Sequence, residues 1–309
     1  MDKMKRRFSK NPLTPELCEL VKPLIQVLPA GRGTVLRWLG GVNSDASLWQ
    51  DKKQYRTFYD RAIDAYICAD VADFSGRLHY FTGRHQDRQN QYVIKKYLRQ
   101  GDTFVDIGSN VGVHTILAAQ IVGASGQVYA FEPQKKLVEI IQAQLVINKL
   151  KNVHLYWMGL GDERSELVLS NPLDFNTGTA TFRPIVESEQ HIDRVQVERG
   201  EDILPDLSES RVLIKIDVEG FEFRVLKGLE KLLSSQKIAL LVEVTDTWLR
   251  ELGSSASEVH CLLKSYGFRP YLIEKAGFGS YRFEESTSAL NHQHDVLFVK
   301  PEFLSSISS

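Results

Sequence analysis

The chain has 309 residues, room for one large α/β core with an appendage, and 43% hydrophobic with 25% charged residues excludes a disordered or collagen-like chain. Lys and Arg total 38 against 39 Asp and Glu, a formal charge of −1, so there is no global positive field of the kind that holds a nucleic-acid backbone. Cys18, Cys68 and Cys261 lie far apart with no C-x-x-C spacing, which argues against a disulfide framework or cysteine zinc site and for three reduced packing thiols.

Met1 to Lys10 is basic, but Pro12, Pro15, Pro23 and Pro29 interrupt the next stretch of chain, so neither a signal peptide nor a membrane span is expected, and the expected location is the cytoplasm. Residues 14–60 mix helix-like apolar spacing (Leu17, Leu20, Val21, Leu24, Ile25) with Pro and Gly punctuation and read as a helical cap. Ala65–Val71 and Arg77–Phe81 read as a hairpin about Ser75-Gly76. Together these form an expected N-terminal cap, residues 1–84, ahead of a main domain, residues 85–309.

From Gln89, apolar positions Tyr92, Val93, Tyr97 and Leu98 recur at helical spacing until Gly101-Asp102 stops the run. Short apolar runs then alternate with helical stretches: Thr103–Ile107, helix Val111–Ile121, Gln127–Phe131, helix Lys135–Ile147, Val153–Trp157, Arg211–Ile216, helix Phe221–Leu233 and Ile238–Val244. Such alternation predicts a parallel sheet covered on both faces. Asp162–Val197 reads as an inserted β excursion, and Arg269–Ile273 with Asp295–Val299 as a closing antiparallel pair.

In an open parallel sheet the ligand crevice lies beyond the carboxyl ends of the strands, where strand order reverses. Asp106-Ile107-Gly108-Ser109-Asn110-Val111-Gly112 is a strand tip, a tight turn and a helix start. Its glycines clear space for a ligand, and the helix N-terminus offers free N–H groups, although the same glycines could simply fit strand to helix. Glu132 ends the second strand 26 residues after Asp106 (132 − 106), close to the ~20-residue interval at which such folds place a ribose-binding acid. Asn110 replaces one glycine of the dinucleotide fingerprint, and a strand-tip carboxylate beside a diphosphate is repulsive. Beside the ammonium or sulfonium of S-adenosylmethionine the same carboxylate attracts.

Asp217, in Lys215-Ile216-Asp217-Val218-Glu219-Gly220, stands at the fourth strand tip, and Glu243 at the fifth. Asp217 can meet an acceptor hydroxyl or the methionine ammonium. Glu219 and Glu222 equally suit a helix start that favours negative charge. Asp217 and Glu243 with Asp246 could also hold a Mg²⁺ that polarises an acceptor hydroxyl. A nicotinamide oxidoreductase on the same scaffold, or a nucleoside-binding protein without catalysis, are the alternatives.

The Gly101-Asp102-Thr103 lead into Asp-Ile-Gly-Ser-Asn-Val-Gly, Phe131-Glu132-Pro133, and Ile214-Lys215-Ile216-Asp217-Val218-Glu219-Gly220 resemble the FkbM family of S-adenosylmethionine-dependent methyltransferases, over about Tyr80 to Lys300. The resemblance implies a Rossmann-like class I sheet of seven mostly parallel strands and O-methylation of a hydroxyl on a sugar or natural product. It assigns Asp106, Gly108, Asn110 and Gly112 to the cofactor turn, Glu132 to the ribose, and Asp217, Glu219 and Glu243 to the reaction end. Ser109 lies in that turn, and Asp217 could serve both cofactor and acceptor. One departure is that Val244-Thr245 stands where the family often has a histidine, which puts a histidine proton relay from that strand in doubt. No Asn/Asp-Pro-Pro-aromatic segment follows the fourth strand, which argues against amino-methylation of a flipped nucleic-acid base. The part of the excursion from about Ser170 to Gln196, with Phe175, Asn176, Thr177, Thr179 and Phe182, is expected to cover the acceptor as a lid.

Overall fold

The computed structural model describes residues 14–39, 49, 54–172, 182, 189–277, 280–286 and 294–305, which fall into two compact units, one up to Asp87 and one from Arg88. The first contains α1 (Pro15–Val27), α2 (Arg32–Trp38), the hairpin strands β1 (Tyr55–Asp60) and β2 (Ala65–Asp70), and α3 (Phe74–Thr82). Cys18, Ile25, Leu36, Trp49 and Phe81 are buried at its centre.

The hairpin differs from the sequence expectation. Its first strand is Tyr55–Asp60, paired antiparallel from Tyr55 opposite Asp70 to Asp60 opposite Ala65, whereas Arg77–Phe81 is helical. Two local signals decide this. The Asp73 side chain accepts the Gly76 N–H at 2.8 Å and caps α3, while Gly83 ends it in the left-handed conformation. Gly76 serves close packing rather than a turn, because a β-carbon there would lie 2.3 Å from the Asp70 carbonyl oxygen.

The second unit begins with α4 (Arg88–Tyr97), then β3 (Thr103–Ile107), α5 (Val113–Val122), β4 (Gln127–Phe131), α6 (Lys135–Ile147) and β5 (Val153–Tyr156). The excursion supplies β6 (Gly159–Gly161), β7 (Ser165–Pro172) and β8 (Glu189–Arg199), followed by α7 (Gly200–Ile203). Then come β9 (Val212–Ile216), α8 (Glu222–Lys227), α9 (Glu230–Leu233), β10 (Ile238–Val244), α10 (Asp246–Glu251) and α11 (Ala256–Ser265). The chain closes with β11 (Arg269–Gly277), β12 (Ser280–Glu285), β13 (His294–Val299) and α12 (Pro301–Ser305).

The main sheet has the order β12-β11-β13-β10-β9-β3-β4-β5. Strands β5, β4, β3, β9 and β10 are parallel neighbours, and β13, β11 and β12 are antiparallel. The expected alternation is therefore present, with one strand more than the seven expected, because β12 pairs along the outer edge of β11. Every residue of β3 and β9 is buried, as strands covered on both faces must be. Consecutive strands run outward from β3 to β4 and β5, and the chain then returns to β9 and β10 on the other side, so the topological switch lies between β3 and β9.

The expected helix Phe221–Leu233 is broken into α8 and α9 at Gly228, where a β-carbon would lie 1.9 Å from the Gly161 carbonyl oxygen. The excursion forms its own sheet, β6-β8-β7, and Phe182 packs edge-on against Phe221 at 5.0 Å. Phe175, Asn176, Thr177 and Thr179 of the expected lid lie outside the described residues. All three cysteines are free thiols, but Cys261 is exposed and so is not a packing residue. Among the described residues no helix is long and apolar enough to cross a membrane.

Candidate cofactor and acceptor site

The turn after β3 is built by three bends into positive φ: Gly108 at 81°, Asn110 at 51° and Gly112 at 76°. Asparagine is among the few side chains that tolerate this region, which explains Asn110 in place of a glycine. The turn is stitched to the end of β4. The N–H groups of Gly108 and Ser109 both donate to the Phe131 carbonyl at 3.0 Å, and the Ser109 hydroxyl donates to the carbonyls of Asp106 and Phe131. The Ser109 hydroxyl is thus engaged inside the turn. Both glycines are also required by packing, since a β-carbon on Gly108 would strike Asp217 and one on Gly112 would lie 2.9 Å from Ile141.

Glu132 stands beside this turn at the tip of β4. One carboxylate oxygen accepts the Asn110 N–H at 2.8 Å and the other the Gln134 N–H at 2.9 Å. Burial pushes its pKa up to about 8 against those two donors. Asp106 is fully buried within β3, where its Oδ2 accepts the Thr115 hydroxyl at 2.5 Å and its Oδ1 takes no hydrogen bond. Burial raises its pKa too, with Lys215 and His114 acting in the other direction.

Beyond the switch, β9 ends at Ile216, and Asp217 continues the pairing by donating its N–H to the Ile107 carbonyl at 3.1 Å. Its carboxylate accepts the Lys215 ammonium at 2.9 Å. Glu219 has φ 55°, a left-handed conformation that a glutamate adopts only when its surroundings enforce it. Glu222 caps the loop: one oxygen accepts the N–H groups of Val218 and Gly220, and burial raises its pKa to about 7. These bonds tie the loop to the helix start.

Asp217, Glu219 and Glu243 each bring a carboxylate oxygen to within 4.8 Å of the others. The expected set with Asp246 does not assemble. Asp246 holds Arg250 at 2.7 Å and accepts the Ala256 N–H at 2.9 Å. Next to Glu243, a cavity of about 380 Å³ is lined by Gln89, Leu272, Ile273, Glu274, His294 and Asp295. Gln89 and Asn90 at the start of α4 donate to the Asp295 carboxylate. His294 pairs across the strands with Val244, so an imidazole-bearing residue lies at this end of the sheet although β10 itself has none.

Sequence reasoning missed two features of this site. Lys215 was legible as a charged residue in the otherwise apolar run Val212–Ile216. Asp295 and Gln89 were not, because they meet only through tertiary pairing more than 200 residues apart in the chain.

The strand order, with a glycine turn after the central strand and acids at the tips of its neighbours, defines a class I methyltransferase-type Rossmann-like fold. The chain belongs to the FkbM methyltransferase family, whose methyltransferase FkbM domain matches residues 106–270. It is similar to the ribosomal protein L11 methyltransferase of Acetivibrio thermocellus, 23% identical over 54% of this chain and 58% of the relative. It also resembles Methyltransferase 1 of Beauveria bassiana, 29% identical over 42% of this chain and 59% of the relative. The chain thus spans about three-fifths of the length of these curated relatives. Among solved structures, methyltransferase FkbM from Methylobacillus flagellatus superposes with a TM-score of 0.44 at 16% identity, covering 74% of this chain and 53% of that one. M. jannaschii TYW2 in complex with AdoMet gives a TM-score of 0.42 at 13% identity, over 80% and 86% of the two chains.

Proposed function

We propose that the protein is an S-adenosylmethionine-dependent methyltransferase acting on a hydroxyl of a small molecule such as a sugar or natural product. The observation that carries the reading is the charge of the crevice. Asp106, Glu132, Asp217, Glu219 and Glu243 line or underlie adjacent strand tips, with Lys215 among them. The buried Asp106 and Glu132, whose pKa values are raised, add to its field only when ionised. The cluster of Asp217, Glu219 and Glu243, offset by Lys215, attracts a nucleoside bearing ammonium and sulfonium charges and repels a dinucleotide diphosphate. It therefore disfavours the nicotinamide reading.

The residues present fit the cofactor. The buried Asp106 Oδ1, which takes no hydrogen bond, suits a donor from the crevice side, and Glu132 is held at the place where a ribose is expected. When bound, S-adenosylmethionine supplies the electrophilic methyl group. The chain's own part is to align the acceptor oxygen, an effect that can lower the barrier by ~7–11 kcal/mol. The hydroxyl proton must leave as the new bond forms. Asp217 is the leading base, with one carboxylate oxygen held by Lys215, and Glu219 is the second; Glu243 completes the acidic wall. The cavity beside Glu243 lies within the ~300–1,000 Å³ range of small-ligand sites, enough room for a small acceptor.

The test is transfer of labelled methyl from S-adenosylmethionine to a panel of sugars and hydroxylated natural products, with ribosomal protein L11 and RNA in parallel. Label in a small hydroxyl compound supports the proposal. Label only in protein or RNA would replace the acceptor class, and cofactor binding without transfer to any of them would favour a nucleoside-binding role.

A further inference from the structure

We propose that Lys215 is a positioning residue for the methyl-transfer site: its buried ammonium fixes the Asp217 carboxylate at the crevice floor and holds positive charge between the acids of β3, β4 and β9. The inference rests on the function proposed above and assigns a role to a residue outside the cofactor turn and the acidic wall.

Lys215 is 2% exposed in the middle of a strand whose other residues are Val212, Leu213, Ile214 and Ile216. Lysine is almost never fully buried without a paired charge. Side chains two apart in a strand share a face, which is why Lys215 reaches Asp217, at 2.9 Å. Asp217 is about one-third exposed while Lys215 is buried, so the pair runs from the core to the floor of the crevice. Across the sheet, Lys215 is in register with Asp106 on β3 on one side and with apolar Leu241 on β10 on the other. The charge therefore has its acidic neighbours on the cofactor side.

Stability alone gives a poor account of this lysine. Replacing a buried ion pair by well-packed apolar residues is often neutral or stabilising, so the fold does not need a cation here. The crevice does. Asp217, Glu219 and Glu243 crowd their oxygens within 4.8 Å, and a cation bonded to one of them holds it in place against the others' repulsion. On the cofactor side, Glu132 is faced by Asp106 of β3, by Lys215 of β9 and by the backbone N–H groups of Asn110 and Gln134. Lys215 favours its ionised form, the form that accepts ribose hydroxyls.

The experiment uses the full chain and S-adenosylhomocysteine as probe. Its affinity is measured by calorimetry from pH 6.5 to 9.5 for the wild type, Lys215→Met and Lys215→Arg, with melting temperatures alongside. Removal of the charge should move the midpoint of the affinity profile upward from about 8. A move of about half a pH unit weakens binding at pH 7 about threefold, and Lys215→Arg should restore the wild-type midpoint. A purely structural lysine would change the melting temperature and leave the midpoint in place, and that result in folded Lys215→Met would overturn the proposal. If Lys215→Met does not fold, Lys215→Arg decides: a wild-type profile supports the role of the charge, and a tenfold loss in a folded variant that keeps the charge overturns it. Failure of the wild type to bind the probe would instead defeat the proposed function.

Discussion

A β-carbon on Gly108 would lie 1.9 Å from the carbonyl oxygen of Asp217. The turn after β3 and the tip of β9 are therefore pressed together at the topological switch, and the floor of the crevice has no slack at this point. Gly108 also has φ 81°, a conformation unfavourable to any residue with a β-carbon.

Gly108→Ala should accordingly cost more than about 3 kcal/mol, from backbone strain plus a clash that only main-chain movement relieves. Gly253, with φ 80° and nothing within 4 Å of an added β-carbon, is the matched control and should cost about 1–2 kcal/mol as alanine. Urea denaturation of both variants checks the difference; equal losses would mean that the close approach to Asp217 carries no energy.

Glu132→Ala should weaken S-adenosylmethionine binding by at least about tenfold, because charge-assisted hydrogen bonds are worth roughly 1.5–3 kcal/mol each. In the wild type the affinity should tighten as pH rises toward about 8, since the ionised carboxylate is the better acceptor. Calorimetry at several pH values on folded protein tests both statements. Unchanged affinity in the variant would remove Glu132 from the cofactor site.

Ligand-free stability should run the other way with pH. Asp106, Glu132 and Glu222 are buried acids with raised pKa values, about 8 for Glu132 and about 7 for Glu222. With unfolded values near ~4, the folded state binds more protons in between, so their contribution is present at low pH and lost as pH rises through the folded values. Scanning calorimetry should show a lower melting temperature at pH 8.5 than at pH 6. A higher one would show that these carboxylates are ionised without penalty in the fold.

Mg²⁺ should bind weakly or not at all. Lys215 already places an ammonium on Asp217, and Asp246 is committed to Arg250 and the Ala256 N–H. A Mg²⁺ titration followed by calorimetry should give no saturable heat, and full methyl-transfer activity should survive chelation. Saturable binding that disappears in Glu243→Gln would restore the metal reading.

The parallel strands are legible in the sequence because each is a short apolar run bounded by turn residues, and Thr103–Ile107, Gln127–Phe131 and Ile238–Val244 fall at the expected bounds. The cofactor turn is legible because its chemistry is contiguous in the chain. Arg77–Phe81 misleads because Ser75-Gly76 has the composition of a turn, while the Asp73 cap and the left-handed Gly83 end make the segment helical and Gly76 is there for its close approach to Asp70. The partner strand Tyr55–Asp60 is hidden inside a region that reads as helical. The cavity is not legible at all: Gln89, Glu243 and Asp295 come from three separated stretches, joined only by the antiparallel pairing of β10 with β13 and the packing of α4.

The charge at the β3–β9 switch should make the crevice select a cationic nucleoside over a dinucleotide diphosphate. Parallel calorimetric titrations of the full chain with S-adenosylmethionine and with NAD, each repeated on Glu132→Ala, decide the matter. One-to-one binding of S-adenosylmethionine that weakens at least about tenfold in the variant is expected, with no saturable binding of NAD. Saturable binding of NAD with none of S-adenosylmethionine would contradict the assignment.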